Sequence, residues 1–184
     1  MEDILNITHM DSIVIHLLRR HGWYEERNYD ISTWLQALSH DGYESFEYAE
    51  QILRSLGGIN IDVRGTKLHK CAQFDFNAMC AIGFIGVQKK LEAVVKEPLF
   101  PLGEMVHGIA YVGRSKNIYF GDGVDYYWIG SSIEDYLNNL FDCNVKPKLL
   151  YSNPRSEESK KELEALFEKA KEQVRLQYPH LNIK

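Results

Sequence analysis

Four residues of metal-ligating type, His69, Cys71, Cys80 and Cys143, are the first place to look for chemistry. Zinc takes four ligands, usually as two tight pairs. His69-x-Cys71 makes one irregular pair and Cys143 has no neighbour. Thiols acting as small apolar fillers fit this spacing better, so no metal site is expected. Ser115 follows Gly113 by two, as in a nucleophile elbow, but Asn117 stands where the elbow needs glycine; a plain turn is the reading. Gly121-Asp122-Gly123-Val124-Asp125 sets two carboxylates in a glycine turn, without the carboxylate spacing or distal glutamate of a calcium loop. His107, in a strand, could serve as the base of a small hydrolase, with no second motif beside it. Phosphate-cradling and dinucleotide-binding glycine patterns and His-Glu-x-x-His are absent. Neither an enzyme nor a cofactor is expected.

Charge is more informative. The chain of 184 residues carries a formal net charge of −5, against the basic surface of a nucleic-acid binder. From Gly22 to Leu53 there are seven acidic residues and one basic residue, Arg27. From Asn117 to Val145 there are five acidic residues and no lysine or arginine. That second stretch also holds Tyr119, Phe120, Tyr126, Tyr127, Trp128, Tyr136 and Phe141. Strand alternation puts Tyr127 on one face and Tyr126 and Trp128 on the other, so part of this set is core. An acidic surface with exposed tyrosine or tryptophan suits a basic protein partner: carboxylates steer encounter and aromatics anchor it. Charge runs also serve merely to solvate a surface, and charge alone favours that plainer reading.

The elements that must position these residues are legible in outline. Ile13, Val14, Leu17 and Leu18 recur at helical spacing up to Gly22. Asp30 can cap a second helix with Ile31, Trp34, Leu35 and Leu38 on its buried stripe, ending at Asp41-Gly42. A third helix runs from Ser45 through Phe46, Ala49, Leu53 and Leu56 to Gly57-Gly58, with Gly57 suited to the left-handed position. Ile59–Val63 alternates as a strand, and Phe74–Phe76 is a second. Residues 82–96 read as a helix ended by Pro98 and Pro101. A meander of Met105–Val112, Ile118–Phe120 and Asp125–Ile129 follows, with glycine-bearing turns. Ser131 and Glu134 form a capping box for a helix through Tyr136, Leu137, Leu140 and Phe141. Lys146–Pro154 reads as a connector. Residues 155–178 read as a charged helix with Leu163, Leu166, Phe167, Ala170 and Val174 on its apolar stripe.

No apolar run reaches the ~20 residues needed to span a bilayer. The acidic start, Met1-Glu2-Asp3-Ile4, leads into no long apolar core, so no secretory signal is expected. Three cysteines make no disulfide framework, and the cytoplasm is the expected compartment.

The order of features forms a connected pattern. His21-Gly22-Trp23, Arg27, the Trp34-Leu35 helix, the Gly42 break, the Ala49–Leu53 helix and Gly57-Gly58-Ile59 resemble the first half of the third branch of the SUKH superfamily of immunity proteins. Pro101-Leu102-Gly103-Glu104, the meander and Gly130-Ser131-Ser132 are similar to its second half. The resemblance covers about residues 12–141. It implies an α+β domain over 1–145, with an antiparallel, strongly bent sheet of five to six strands packed with N-terminal helices. Residues 146–184 are expected as a connector and an amphipathic helix packed on the same domain. It further implies a non-catalytic protein that binds the C-terminal domain of a cognate secreted polymorphic toxin, a basic nuclease above all. No direct nucleic-acid or membrane contact is expected, and the oligomeric state is monomer or weak dimer. A regulatory or scaffold role, known in the wider superfamily, is the alternative. Gly22, Trp23, Arg27, Gly57, Gly58, Pro101, Gly103 and Gly130 are expected as structural, Arg27 within the fold. Glu25, Glu26, Asp122, Asp125, Tyr127, Trp128, Glu134 and Asp135 are the expected toxin-binding residues, selected on assumed exposure.

Overall fold

The computed structural model describes residues 5–62, 73–105, 108–142 and 147–153. The chain divides into two units, Met1–Ser152 and Asn153–Lys184, and every element below lies in the first. The helix expected over 155–178 lies outside the described residues.

Three helices open the chain: α1 (Ser12–Arg20), α2 (Ser32–His40) and α3 (Glu47–Leu56). Val14, Leu17 and Leu18 form the buried stripe of α1, while Ile13, expected with them, is exposed. Ala49, Ile52, Leu53 and Leu56 form that of α3. Glu47 and Glu50 in the first turn of α3 and Arg54 in its last complement the helix dipole. Both α1 and α2 stop in the same way. Trp23 N bonds Leu18 O (2.9 Å) and Gly22 N bonds Arg19 O (3.2 Å); Tyr43 N bonds Leu38 O (3.0 Å) and Gly42 N bonds Ser39 O (3.1 Å). Gly22 (φ +97°) and Gly42 (φ +95°) supply the left-handed residue this paired-bond cap needs. The aromatic residue after each glycine is thereby turned inward: Trp23 and Tyr43 are both buried.

Among the described residues, one antiparallel sheet of seven strands follows, with the strands adjacent in chain order. They are β1 (Asn60–Asp62), β2 (Gln73–Asp75), β3 (Leu99–Met105), β4 (Gly108–Gly113), β5 (Ile118–Gly121), β6 (Asp125–Gly130) and β7 (Lys148–Ser152). Helix α4 (Ile85–Val95) stands between β2 and β3, and α5 (Ile133–Asp142) between β6 and β7. The sheet is not closed, and the architecture is α+β. Helix α3 packs on β3, α4 on β3 and β5, α5 on β6, and α1 on α5. No helix among the described residues is long and apolar enough to cross a membrane.

The strand count exceeds the expected five to six for two reasons. The run expected as one strand, Met105–Val112, is the junction of β3 and β4, and β3 extends back through Pro101. Pro101 thus lies inside a strand instead of ending a helix. A shift of register between Pro101 and Gly103 accommodates it, since proline survives in a sheet at a bulge or an edge. The second addition is β7, in a segment expected as connector, which pairs antiparallel with β6.

Candidate functional site

The family-type residues near the N-terminus build a junction. Trp23 is 4% exposed, and its indole N–H donates to Ser55 Oγ of α3 at 3.1 Å. Arg27 reaches the same helix end: Nη1 donates to Ser55 O (2.8 Å) and Nη2 to Gly57 O (2.6 Å). Tyr29 N bonds Arg54 O at 2.7 Å, and the Arg27 guanidinium stacks over the Tyr29 ring at 5.1 Å. A helix C-terminus leaves carbonyls unpaired and carries partial negative charge, so a planar cation with a fork of donors suits it. Burial holds the Arg27 pKa below its usual value. The arginine is half-buried, and its partners are backbone carbonyls. The left-handed residue after α3 is Gly58 (φ +74°), not Gly57 as the sequence suggested. Gly57 is required by contact: a Cβ there would lie 2.4 Å from Leu53 O. Gly103 is tighter still, since a Cβ would lie 1.9 Å from Asp75 O on β2. At Gly130 a Cβ would lie 2.9 Å from Tyr136 N.

The start of α5 corrects two expectations. The cap is one residue later than the sequence suggested: Asp135 N bonds Ser132 Oγ (3.1 Å), while Asp135 Oδ2 accepts from Ser131 N (2.7 Å) and Ser131 Oγ (2.9 Å). Glu134 therefore takes no part in the cap. Expected on the surface, it is buried, 8% exposed, and its carboxylate accepts Asn6 N at 2.8 Å. Asn138 continues that clasp, accepting from Asp11 N and donating to His9 O, both at 2.9 Å. Glu134 is closed off from the surface, and Asp135, half-buried, is engaged by Ser131. The Tyr48 phenol beside them is pushed up to about 12 by burial and then by the Glu134 charge.

The other candidates separate by region. Glu25 is exposed and already paired with Arg19 at 2.9 Å; Glu26 is exposed at a left-handed φ of +64°. Trp128 faces α4. Its indole N–H donates to Asn117 Oδ1 (2.9 Å), and its ring lines a groove of about 400 Å³ with Val94, Val95, Tyr119, Lys148 and Leu150. Tyr127 turns to the opposite face of β6, where Leu149 of β7 lies across from it. Asp122, Asp125 and Tyr127 are brought together at the β5–β6 turn. Asp122 Oδ1 accepts from Val124 N (2.8 Å) and Asp125 N (2.7 Å), and Asp125 Oδ1 accepts from Ser152 Oγ (2.6 Å). The Tyr127 pKa is raised by burial and then by the charges of Asp125 and Asp122. Leu149 is 54% exposed and Tyr151 40%. Sequence reasoning missed Leu149 because it assigned the segment to a connector; the run Lys148-Leu149-Leu150-Tyr151 between two prolines was the available signal.

Candidate chemistry is sparse in the described residues. His107, His69, Cys71 and Cys143 lie outside them. Cys80 is half-buried, with its thiol pushed up by burial and by the Asp75 and Glu104 charges, the reverse of an activated nucleophile. Among the described residues no group of three histidine, cysteine, aspartate or glutamate side chains is placed to hold a metal. A second cleft, of about 500 Å³, runs along α4 past Gln88, Lys89, Glu92 and Lys96, with charges of both signs.

The glycines, Trp23 and Arg27 act as joints. Comparison with curated proteins and with solved structures gives no match. The family model described as SUKH-3 immunity protein matches residues 10–142, which takes in the N-terminal junction and the sheet through β6 and α5. The chain belongs to the SUKH-3 immunity protein family.

Proposed function

We propose that this immunity protein neutralises one cognate toxin, the C-terminal domain of a secreted polymorphic toxin, by forming a stoichiometric complex in the cytoplasm of the producing cell. The toxin is a basic domain, a nuclease above all, and the complex covers its active site or a surface beside it. The chain contributes no catalysis. Family membership over 10–142 is the observation that carries this reading. The net charge of −5 and the two acidic stretches support a basic partner, because opposite fields speed encounter and select against wrong partners.

The test is protection. A large secreted protein encoded beside the chain supplies the toxin domain, which is expressed in a sensitive host with and without the immunity protein. Growth restored only by the co-expressed chain, with both proteins recovered in near-equal amounts on affinity capture, is the expected result. Continued killing despite a well-folded, abundant chain would overturn the reading.

A further inference from the structure

We infer that the toxin docks on the face formed by the β5–β6 turn and the adjoining strand β7, with a cationic, long-stemmed side chain, lysine or arginine, seated between Asp122, Asp125, Tyr127 and Leu149. This rests on the toxin-binding reading above and locates it.

The face combines features found together nowhere else among the sequence-selected residues. Its carboxylates are preorganised. Asp122 is held by two backbone N–H groups of its own turn, and Asp125 by the Ser152 hydroxyl. A fixed carboxylate loses little freedom when a partner arrives, so more of the contact energy appears as affinity. The apolar part lies alongside. Strand register sets Asp125 against Ser152 and, across a register shift between Tyr126 and Tyr127, Tyr127 against Leu149, so the Tyr127–Leu149 pair lies beside Asp125 on β6 and β7, next to the turn that carries Asp122. The Phe120 ring backs Tyr127 at 6.2 Å, and Leu149 remains 54% exposed.

Charge complementarity chooses the occupant. No lysine or arginine occurs between Asn117 and Val145, so nothing in the turn or β6 supplies a cation to these carboxylates. An arginine or lysine of the toxin would place its head on Asp122 and Asp125 and lay its aliphatic stem over Tyr127 and Leu149. Three of the other four acidic candidates are engaged differently, Glu25 by Arg19, Glu134 by Asn6 N and Asp135 by Ser131; the fourth, Glu26, is exposed on a separate turn.

The experiment titrates the inactivated toxin domain of the neighbouring secreted protein into four full-length chains: wild type, Asp122→Lys/Asp125→Lys, Leu149→Asp and Glu25→Lys/Glu26→Lys. Circular dichroism and melting temperature establish that each is folded. The inference expects a loss of affinity of roughly tenfold or more in the Asp122/Asp125 and Leu149 variants and little change in the Glu25/Glu26 variant. Full affinity in the Asp122/Asp125 and Leu149 variants would remove this face from the interface while leaving toxin binding intact. Equal weakening of both charge-reversed variants would replace the local site with a diffuse field. A wild-type chain that fails to bind would overturn the toxin reading itself, and this inference with it.

Discussion

The junction around Arg27 and the turn around Asp122 use similar materials to opposite ends. Both set an aromatic ring beside a charged group on a tight turn. At the junction every charge is spent inside the fold: the Arg27 fork covers two carbonyls of α3, and the Trp23 indole finds Ser55. At the β5–β6 turn the carboxylates are held in place by local donors and still reach the surface. A buried donor left without its partner costs ~1–3 kcal/mol, whereas a surface carboxylate costs little to replace. The first region therefore answers to stability, and the second is the one we propose answers to a partner.

The largest effect should come from filling the space that only glycine leaves. Gly103→Val drives a side chain into the Asp75 carbonyl, where even a Cβ would lie 1.9 Å away. It is expected to cost ~4 kcal/mol or more and to abolish soluble expression. Next, Trp23→Ala removes a buried ring and strands the Ser55 hydroxyl; chemical denaturation should show a loss of ~3–5 kcal/mol. Arg27→Lys is informative because it keeps the charge and loses the fork. It should cost ~1.5–3 kcal/mol, with toxin affinity unchanged once the protein is folded. If Arg27→Lys is as stable as wild type, the contrast between the two regions fails.

The smallest effect lies where the first β-strands join β3. Asp75 and Glu104 stand directly opposite on β2 and β3. Burial, and then the Glu104 charge, raise the Asp75 pKa; its bond to Asn60 opposes them. The folded pKa exceeds the unfolded one, so Asp75 contributes stability below its unfolded pKa and loses it as pH rises through the folded value. Glu104→Gln should therefore stabilise the chain at neutral pH by ~0.5 kcal/mol or less, because Glu104 is exposed and its charge is screened by water. The gain should vanish in acid, where Asp75 is protonated; melting curves at both pH values check this.

The helices were legible because their apolar spacing and terminal glycines are local signals. Gly22 and Gly42 each end a helix where the sequence said so, and the two turns of the β4–β6 meander fall on their glycines. What was lost needed tertiary information. Pro101 looks like a helix stop until a bulge lets it enter β3. Ser131-Ser132 offers two caps, and the choice of Ser132 follows from Glu134 being drawn to Asn6, far away in sequence. The same choice removed Glu134 from the eight expected surface residues. Strand β7 escaped because a five-residue strand between prolines has no periodicity of its own. The surface was legible in composition and illegible in arrangement: charge counts marked the acidic stretch, and only strand register showed that Tyr127 keeps company with Asp125 and Leu149 while Trp128 faces α4.

The most direct measurement is a calorimetric titration of the neighbouring toxin domain into the full-length wild-type chain at low and at high salt. The account requires a one-to-one complex whose affinity falls as salt rises, because exposed carboxylates are screened while the Tyr127–Leu149 contact is not. Absence of binding, or tight binding indifferent to salt, would contradict it.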